Sequence, residues 1–154
     1  MTYLDIISLD DAKNYLRIDD TLTEDDASIT RMIKSALLYV EKATNHIMFA
    51  RDKNYTFVDG CCSVYDYPIN VTTLAPDVRI DVKTLYTNYA HHSALFFALN
   101  IGYLNSSDIP EGLIDVAYEI IDLYYYGSKD GGTVGKKLSM LSKEVLAQHR
   151  RFIL

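Results

Sequence analysis

Apolar residues recur at steps of three and four along Ile29, Met32, Ile33, Ala36, Leu37, Val40 and Ala43. That spacing keeps one face of a helix apolar, so it predicts an amphipathic helix running to about residues 43–45. Leu38 and Tyr39 lie beside the stripe and widen it. Thr23 offers a cap, and Glu24, Asp25 and Asp26 fill the first turn, where carboxylates meet the positive end of the helix dipole. Upstream, Leu9, Ala12 and Leu16 predict a short helix over about 9–17, capped by Ser8 and broken by Asp19-Asp20-Thr21. A second long stripe comprises Leu113, Val116, Ala117, Ile120, Leu123 and Tyr124, broadened by Ile114 and Ile121. It follows the start signal Ser107-Asp108-Ile109-Pro110-Glu111 and stops at Gly127, with Asp115, Glu119 and Asp122 as an acidic edge. Val145, Leu146 and His149 predict a last basic helix over about 142–150, capped by Ser142.

Between the long helices the pattern shortens. Tyr55-Thr56-Phe57-Val58, Ser63-Val64-Tyr65, Val78-Arg79-Ile80-Asp81-Val82 and Leu95-Phe96-Phe97-Ala98-Leu99 are β-branched or aromatic runs. Turn residues separate them, including Asp59-Gly60, Tyr67-Pro68, Ala75-Pro76-Asp77 and Asn100-Ile101-Gly102. The expected fold is mainly α with a β-rich insertion (α+β): a small helical bundle with hairpins between the second and third main helices. The expected division is a helical body over 1–127, with its insertion at about 47–109, and a flexible linker and basic C-terminal tail over 128–154. Gly131, Gly132 and Gly135 mark the linker.

A chain of 154 residues, 49% of them apolar, is long enough for one real core. The net charge of −6 argues against simple nucleic-acid binding, which needs cations to displace counterions from phosphate. The charge is uneven. Residues 1–30 hold eight acids against Lys13 and Arg17, and residues 127–154 hold six bases against Asp130 and Glu144. Unlike ends suit contact between copies or docking on a partner, although two solvated faces would look the same.

Candidate chemistry is sparse. Cys61 and Cys62 are adjacent, lack the C-x-x-C spacing and are expected as reduced thiols. His91-His92 has no ligand at helical spacing, and the acids of 19–26 lack the alternation and glycine of a calcium loop. Gly127 to Lys137 fails the phosphate-loop spacing, and no nucleophile motif is present. No secretory leader and no membrane span are expected. The reading is therefore no catalytic, metal or cofactor site. Thirteen tyrosines, densest at Tyr124-Tyr125-Tyr126, are the main aromatic feature and suit interfaces.

Leu9-Asp10-Asp11-Ala12-Lys13 through Leu16-Arg17-Ile18-Asp19 resembles the opening L-D-E-A-K-x-x-L-R-V-D of the phage head-tail connector family, also called head-completion or DNA-packaging adaptors. Asp25-Asp26, Ile29, Ala36, Tyr39, Val40-Glu41 and Thr44 are similar to its long second helix. Pro110, Leu113, Ala117 and Tyr124 match its P-x-x-L…A…Y helix, and Val145 to Arg150 resembles its closing L-L-x-P-Y-R, with Gln148 for the proline and His149 for the tyrosine. The resemblance covers about 1–45 and 108–152. It implies a structural, non-enzymatic virion protein, assembled in the host cytoplasm and resident in the neck. It implies a ring, commonly of twelve copies, with the portal protein on one side and the next neck or tail protein on the other. DNA would pass through the lumen without specific binding, and no membrane or cofactor is involved. The candidate portal-docking residues are Lys136, Lys137, Leu146, His149, Arg150, Arg151 and Phe152, on a tail expected to be mobile beyond Gly135 until it docks. The candidate subunit interface is Leu38, Tyr39, Tyr124, Tyr125 and Tyr126. The alternatives are another neck or tail-completion protein, or a non-viral helical interaction module.

Overall fold

The computed structural model describes residues 1–57, 61–70, 78–81, 84–87, 95–127 and 137–150. Helix α1 spans Leu9–Leu16, and its cap is as expected: the Ser8 hydroxyl accepts from the Asp11 N–H at 3.0 Å. Arg17, at φ 58°, closes it in the left-handed region. Helix α2 spans Asp26–Thr44, beginning after Thr23 rather than on it. Lys13 lies at that junction. Its buried ammonium pairs with Asp26 at 2.9 Å and donates to the carbonyls of Asp20 at 3.1 Å and Leu22 at 2.6 Å. A helix capped by Thr23 would send the Ala27 N–H to Thr23 O; instead the Asp26 N–H donates to Thr23 O at 3.3 Å, and the Ser28 and Ile29 N–H groups both donate to Asp25 O at 2.9 Å, which makes Asp25 the cap.

Helix α3 spans Glu111–Tyr126, with Pro110 at its cap. It packs along α2, and the seam between them is the main core: Ile29, Ile33, Ala36, Leu37 and Val40 against Leu113, Val116, Ala117, Ile120 and Ile121, all buried. Burying one large aliphatic side chain is worth about 1.5–3 kcal/mol, against about 0–1 for an exposed ion pair, so this seam holds the bundle. Helix α1 flanks the pair. Helix α4, Met140–His149, contacts both α3 and α2.

That last helix starts earlier than expected. Ser139 is its cap, accepting from the Ser142 N–H at 3.1 Å, and Ser142 is buried inside the first turn. Leu138 is 3% exposed and belongs to the main core. From Lys137 to Arg150, the segment expected to be mobile is thus seated on the bundle, because Leu138 and Ser142 find burial there. The glycine-rich stretch 128–136 and residues 151–154 lie outside the described residues.

Among the described residues the insertion forms two small antiparallel sheets. Strand β1, Arg51–Phe57, pairs with β5, Leu95–Ile101, with Arg51 opposite Ile101. Strands β2 (Cys61–Ser63), β3 (Val78–Asp81) and β4 (Thr84–Thr87) make the other, in the order β2-β4-β3. β4 was not among the expected runs, and β5 continues through Asn100-Ile101, expected as a turn. The turn comes only at Gly102, whose φ is +107° and where a Cβ would lie 2.3 Å from Phe49 O. A second small core of Ile47, Cys62, Val64, Leu99 and Ile101 lies beneath.

Main-chain bonds close the base of the insertion, and the first of them ties it to the end of α2. Tyr67 N–H donates to Asn45 O (2.9 Å), Ile47 N–H to Tyr67 O (2.7 Å), Gly102 N–H to Pro68 O (2.8 Å) and Ala50 N–H to Tyr103 O (2.9 Å). Glu41, nearly buried on α2, adds side-chain support by accepting from the Met48 N–H at 2.9 Å and pairing with Arg51 at 2.9 Å.

Candidate docking and interface surfaces

The tail helix is moored by one carboxylate. Glu119 projects from α3 so that Oε1 accepts from the Ser139 N–H at 2.5 Å, while Oε2 accepts from the Ser139 hydroxyl at 2.9 Å and from the Ser142 hydroxyl. Partial burial opposes its ionisation, but the bonds from Ser142 and Ser139 and the charge of Lys143 outweigh that and hold the carboxyl below its usual value. Gly112 lets α4 approach α3 closely, since a Cβ there would lie 3.2 Å from Val145 Cγ1. At the far end the His149 ring meets His46 edge-on at 5.6 Å, and His46 Nδ1 shares a hydrogen bond of 2.7 Å with the Tyr103 hydroxyl.

The expected docking residues are therefore not one exposed arm. Lys137 donates to Gly127 O at 3.0 Å, serving the C-terminal end of α3. Leu146 packs half-buried on the core, and His149 faces His46. Arg150 is exposed and, with Tyr39, Lys143 and Leu146, borders a groove of about 330 Å³ between α2 and α4. Lys136, Arg151 and Phe152 lie outside the described residues. Two exposed residues escaped the sequence reading: Met140 and Leu141 are 77% and 71% exposed on the first turn of α4. The mooring role of Glu119 escaped it too, since the sequence places that residue only on an acidic helix edge, although the Ser139-x-x-Ser142 spacing was a signal that α4 has an earlier cap.

The tyrosine run also makes contacts within the subunit. Tyr39 and Tyr124 both pack on the core, and the Tyr124 phenol is pushed up by burial and then by Tyr39. Tyr125 OH donates to Asp25 at 2.8 Å and Tyr126 OH to Leu16 O at 2.8 Å, tying the end of α3 to the start of α2 and the end of α1. Tyr126 nevertheless stays 59% exposed, and Leu38 lies partly exposed on α2.

Another tyrosine pair lies on the outer surface. Tyr15 of α1 stacks on Tyr118 of α3 at 4.9 Å and 29°. Burial raises both phenols, and neighbouring acids raise them further: Asp122, Glu119 and Asp115 for Tyr15, Asp11 and Asp115 for Tyr118. On α2, Arg31, Lys34 and Lys42 are exposed. Such surfaces can bind other macromolecules. Among the described residues no His, Cys, Asp or Glu cluster could hold a metal, and no helix is long and apolar enough to cross a membrane. His91 and His92 lie outside the described residues.

Comparison with known proteins adds a family. Residues 6–150 match the family described as phage gp6-like head-tail connector protein. No curated protein matches the chain. Among solved structures, a chain in the neck of an empty gene transfer agent particle, computed with C6 symmetry, superposes with a TM-score of 0.73 at 13% identity, over 97% of this chain and 91% of that one. A chain of the native gene transfer agent virion gives 0.71 at 12% identity, over 97% and 91%. One in the native neck, computed with C12 symmetry, gives 0.66 at 13%, over 100% and 94%.

Proposed function

Because the chain belongs to the phage gp6-like head-tail connector family, we propose that it is a structural neck subunit, repeated as a ring of twelve copies beneath a portal. The observation that carries this reading is family membership over residues 6–150. Near-complete likeness to a neck chain, with a TM-score of 0.73, supports the same architecture. Symmetry of C6 and C12 in those necks fits a closed ring of repeated subunits.

In this proposal the work is assembly, with no catalytic step, no cofactor and no membrane. The ring joins head to tail, with the portal on one side and the next neck or tail protein on the other. DNA passes through the lumen without specific binding, and the net charge of −6 suits a channel that must not hold phosphate. The division into a body over 1–127 and a docking segment over 128–154 is part of the proposal, with α4 as the seated portion of that segment. Arg150 and the exposed Met140 and Leu141 give it a charged and an apolar contact. An arginine there can fork onto a carboxylate or onto main-chain carbonyls.

The test is the composition and image of purified particles. We expect many copies of this chain between portal and tail. Its absence from the particles, or density there too small for multiple copies, would overturn the reading.

A further inference from the structure

We infer that neighbouring copies in the ring meet through two complementary stripes: the basic outer face of α2 on one copy against the acidic, tyrosine-bearing outer face of α3 and α1 on the next. This deepens the connector reading and rests on it.

The stripes match in form. On α2, Arg31, Lys34, Leu38 and Lys42 stand at i, i+3, i+7 and i+11. On α3, Glu111, Asp115, Tyr118 and Asp122 stand at i, i+4, i+7 and i+11. At about 100° and 1.5 Å per residue each set keeps to one face and runs about 16 Å. Both place an apolar or aromatic residue third, between charges.

They also point in opposite directions. On each helix the stripe lies roughly opposite the buried row, Ile29, Ile33, Ala36 and Val40 on α2 and Leu113, Val116, Ala117 and Ile120 on α3. Those rows face each other across the seam, so the stripes emerge on opposite sides of the subunit. Two unlike patches on opposite sides make a heterologous contact, the kind that closes into a ring when the rotation fits.

Neither stripe is neutralised within the chain. Among the described residues, Arg31, Lys34 and Lys42 pair with no carboxylate, and the Arg31 guanidinium reaches only the Ser28 hydroxyl, at 3.5 Å. No cation pairs with Glu111, Asp115 or Asp122. The negative charges of Asp11, Asp115, Glu119 and Asp122 instead bear on the stacked Tyr15 and Tyr118 and raise their phenols, and Tyr15 is half-exposed. A guanidinium or ammonium from another copy would meet both carboxylates and aromatic faces there. A second copy carries that cation row at matching length, and charge complementarity of this kind also fixes register.

The test uses particles assembled with the full chain, counting its copies per particle by quantitative mass spectrometry, with circular dichroism to confirm folding. Asp115→Lys with Asp122→Lys should lower occupancy by about tenfold or more, as should Arg31→Glu with Lys34→Glu, because like charges then face each other. All four substitutions in one chain restore complementarity with the signs exchanged and should return occupancy to near wild type. Folded one-sided variants that fill the ring normally would overturn the inference. This includes an acidic-stripe variant that fills the ring but alters DNA passage, which would place the stripe in the lumen. A four-fold variant no better than its parents would overturn it too, pointing to a different partner on those faces. Wild-type chain missing from particles would instead sink the connector reading itself.

Discussion

Removing the Glu119 carboxylate should loosen α4 while leaving the bundle folded. The carboxylate accepts three hydrogen bonds, two from Ser139 and one from Ser142, and Ser139 is the helix cap. A bond to a charged group is worth about 1.5–3 kcal/mol when buried, but Ser139 is exposed and water replaces part of the loss, so Glu119→Ala should cost about 2 kcal/mol of docking. That corresponds to a roughly 30-fold larger open population of the segment. Hydrogen exchange of the α4 amides reads it directly, with Asp115→Ala as the control on the same helix. Glu119→Gln, which keeps one acceptor oxygen, should fall between. The reasoning fails if the α4 amides exchange no faster than in the control, or if protection falls equally throughout the bundle. The same carboxyl sets a pH dependence. Its folded value lies below the ordinary 4.5, so the ionised form stabilises docking. That contribution is complete above 4.5 and is lost as pH falls through the lowered value. Protection of α4 should thus decline in that acid range, and Glu119→Ala should flatten the decline.

Other perturbations reach different parts of the molecule. Lys13→Met leaves Asp26 and two carbonyls without their cation, and should cost about 3 kcal/mol and lower Tm by roughly 6–12 °C in thermal denaturation. Gly102→Ala forces a Cβ against Phe49 O at positive φ, and should cost about 2–4 kcal/mol in denaturant unfolding, with the smaller core affected first. Arg150→Ala should reduce the number of copies per purified particle more than Lys129→Ala does; equal effects would remove Arg150 from the proposed docking surface.

The helices were legible because each buries one face and the 3.6-residue period writes that face into the chain. Ser8 and Pro110 mark starts where local chemistry decides the boundary. Where a boundary depended on a distant partner, the pattern was silent. At the start of α2, Lys13 gathers Asp26 with the carbonyls of Asp20 and Leu22, and at the start of α4 both Ser139 and Ser142 reach Glu119, partners far off in sequence that no local pattern announces. β4 is four residues whose strand character comes from pairing with β2 and β3. The interface tyrosines show the same limit, because composition marks Tyr125 and Tyr126 as contact residues while only tertiary distance brings their hydroxyls to Asp25 and Leu16. The family, by contrast, was legible from the order of motifs at both ends of the chain.

The base of the insertion, where it meets the end of α2, has a consequence for how such a protein can change over time. Asn45, Ile47, Tyr67, Pro68, Gly102 and Tyr103 are linked there by their peptide groups. Peptide groups are common to every residue, so substitution leaves most of the base's donors and acceptors in place; Gly102, which alone needs its missing side chain, is the exception. A base of this kind lets the insertion acquire new surface residues while its own closure stays intact. Chains as little as 13% identical can then keep one architecture while their surfaces change.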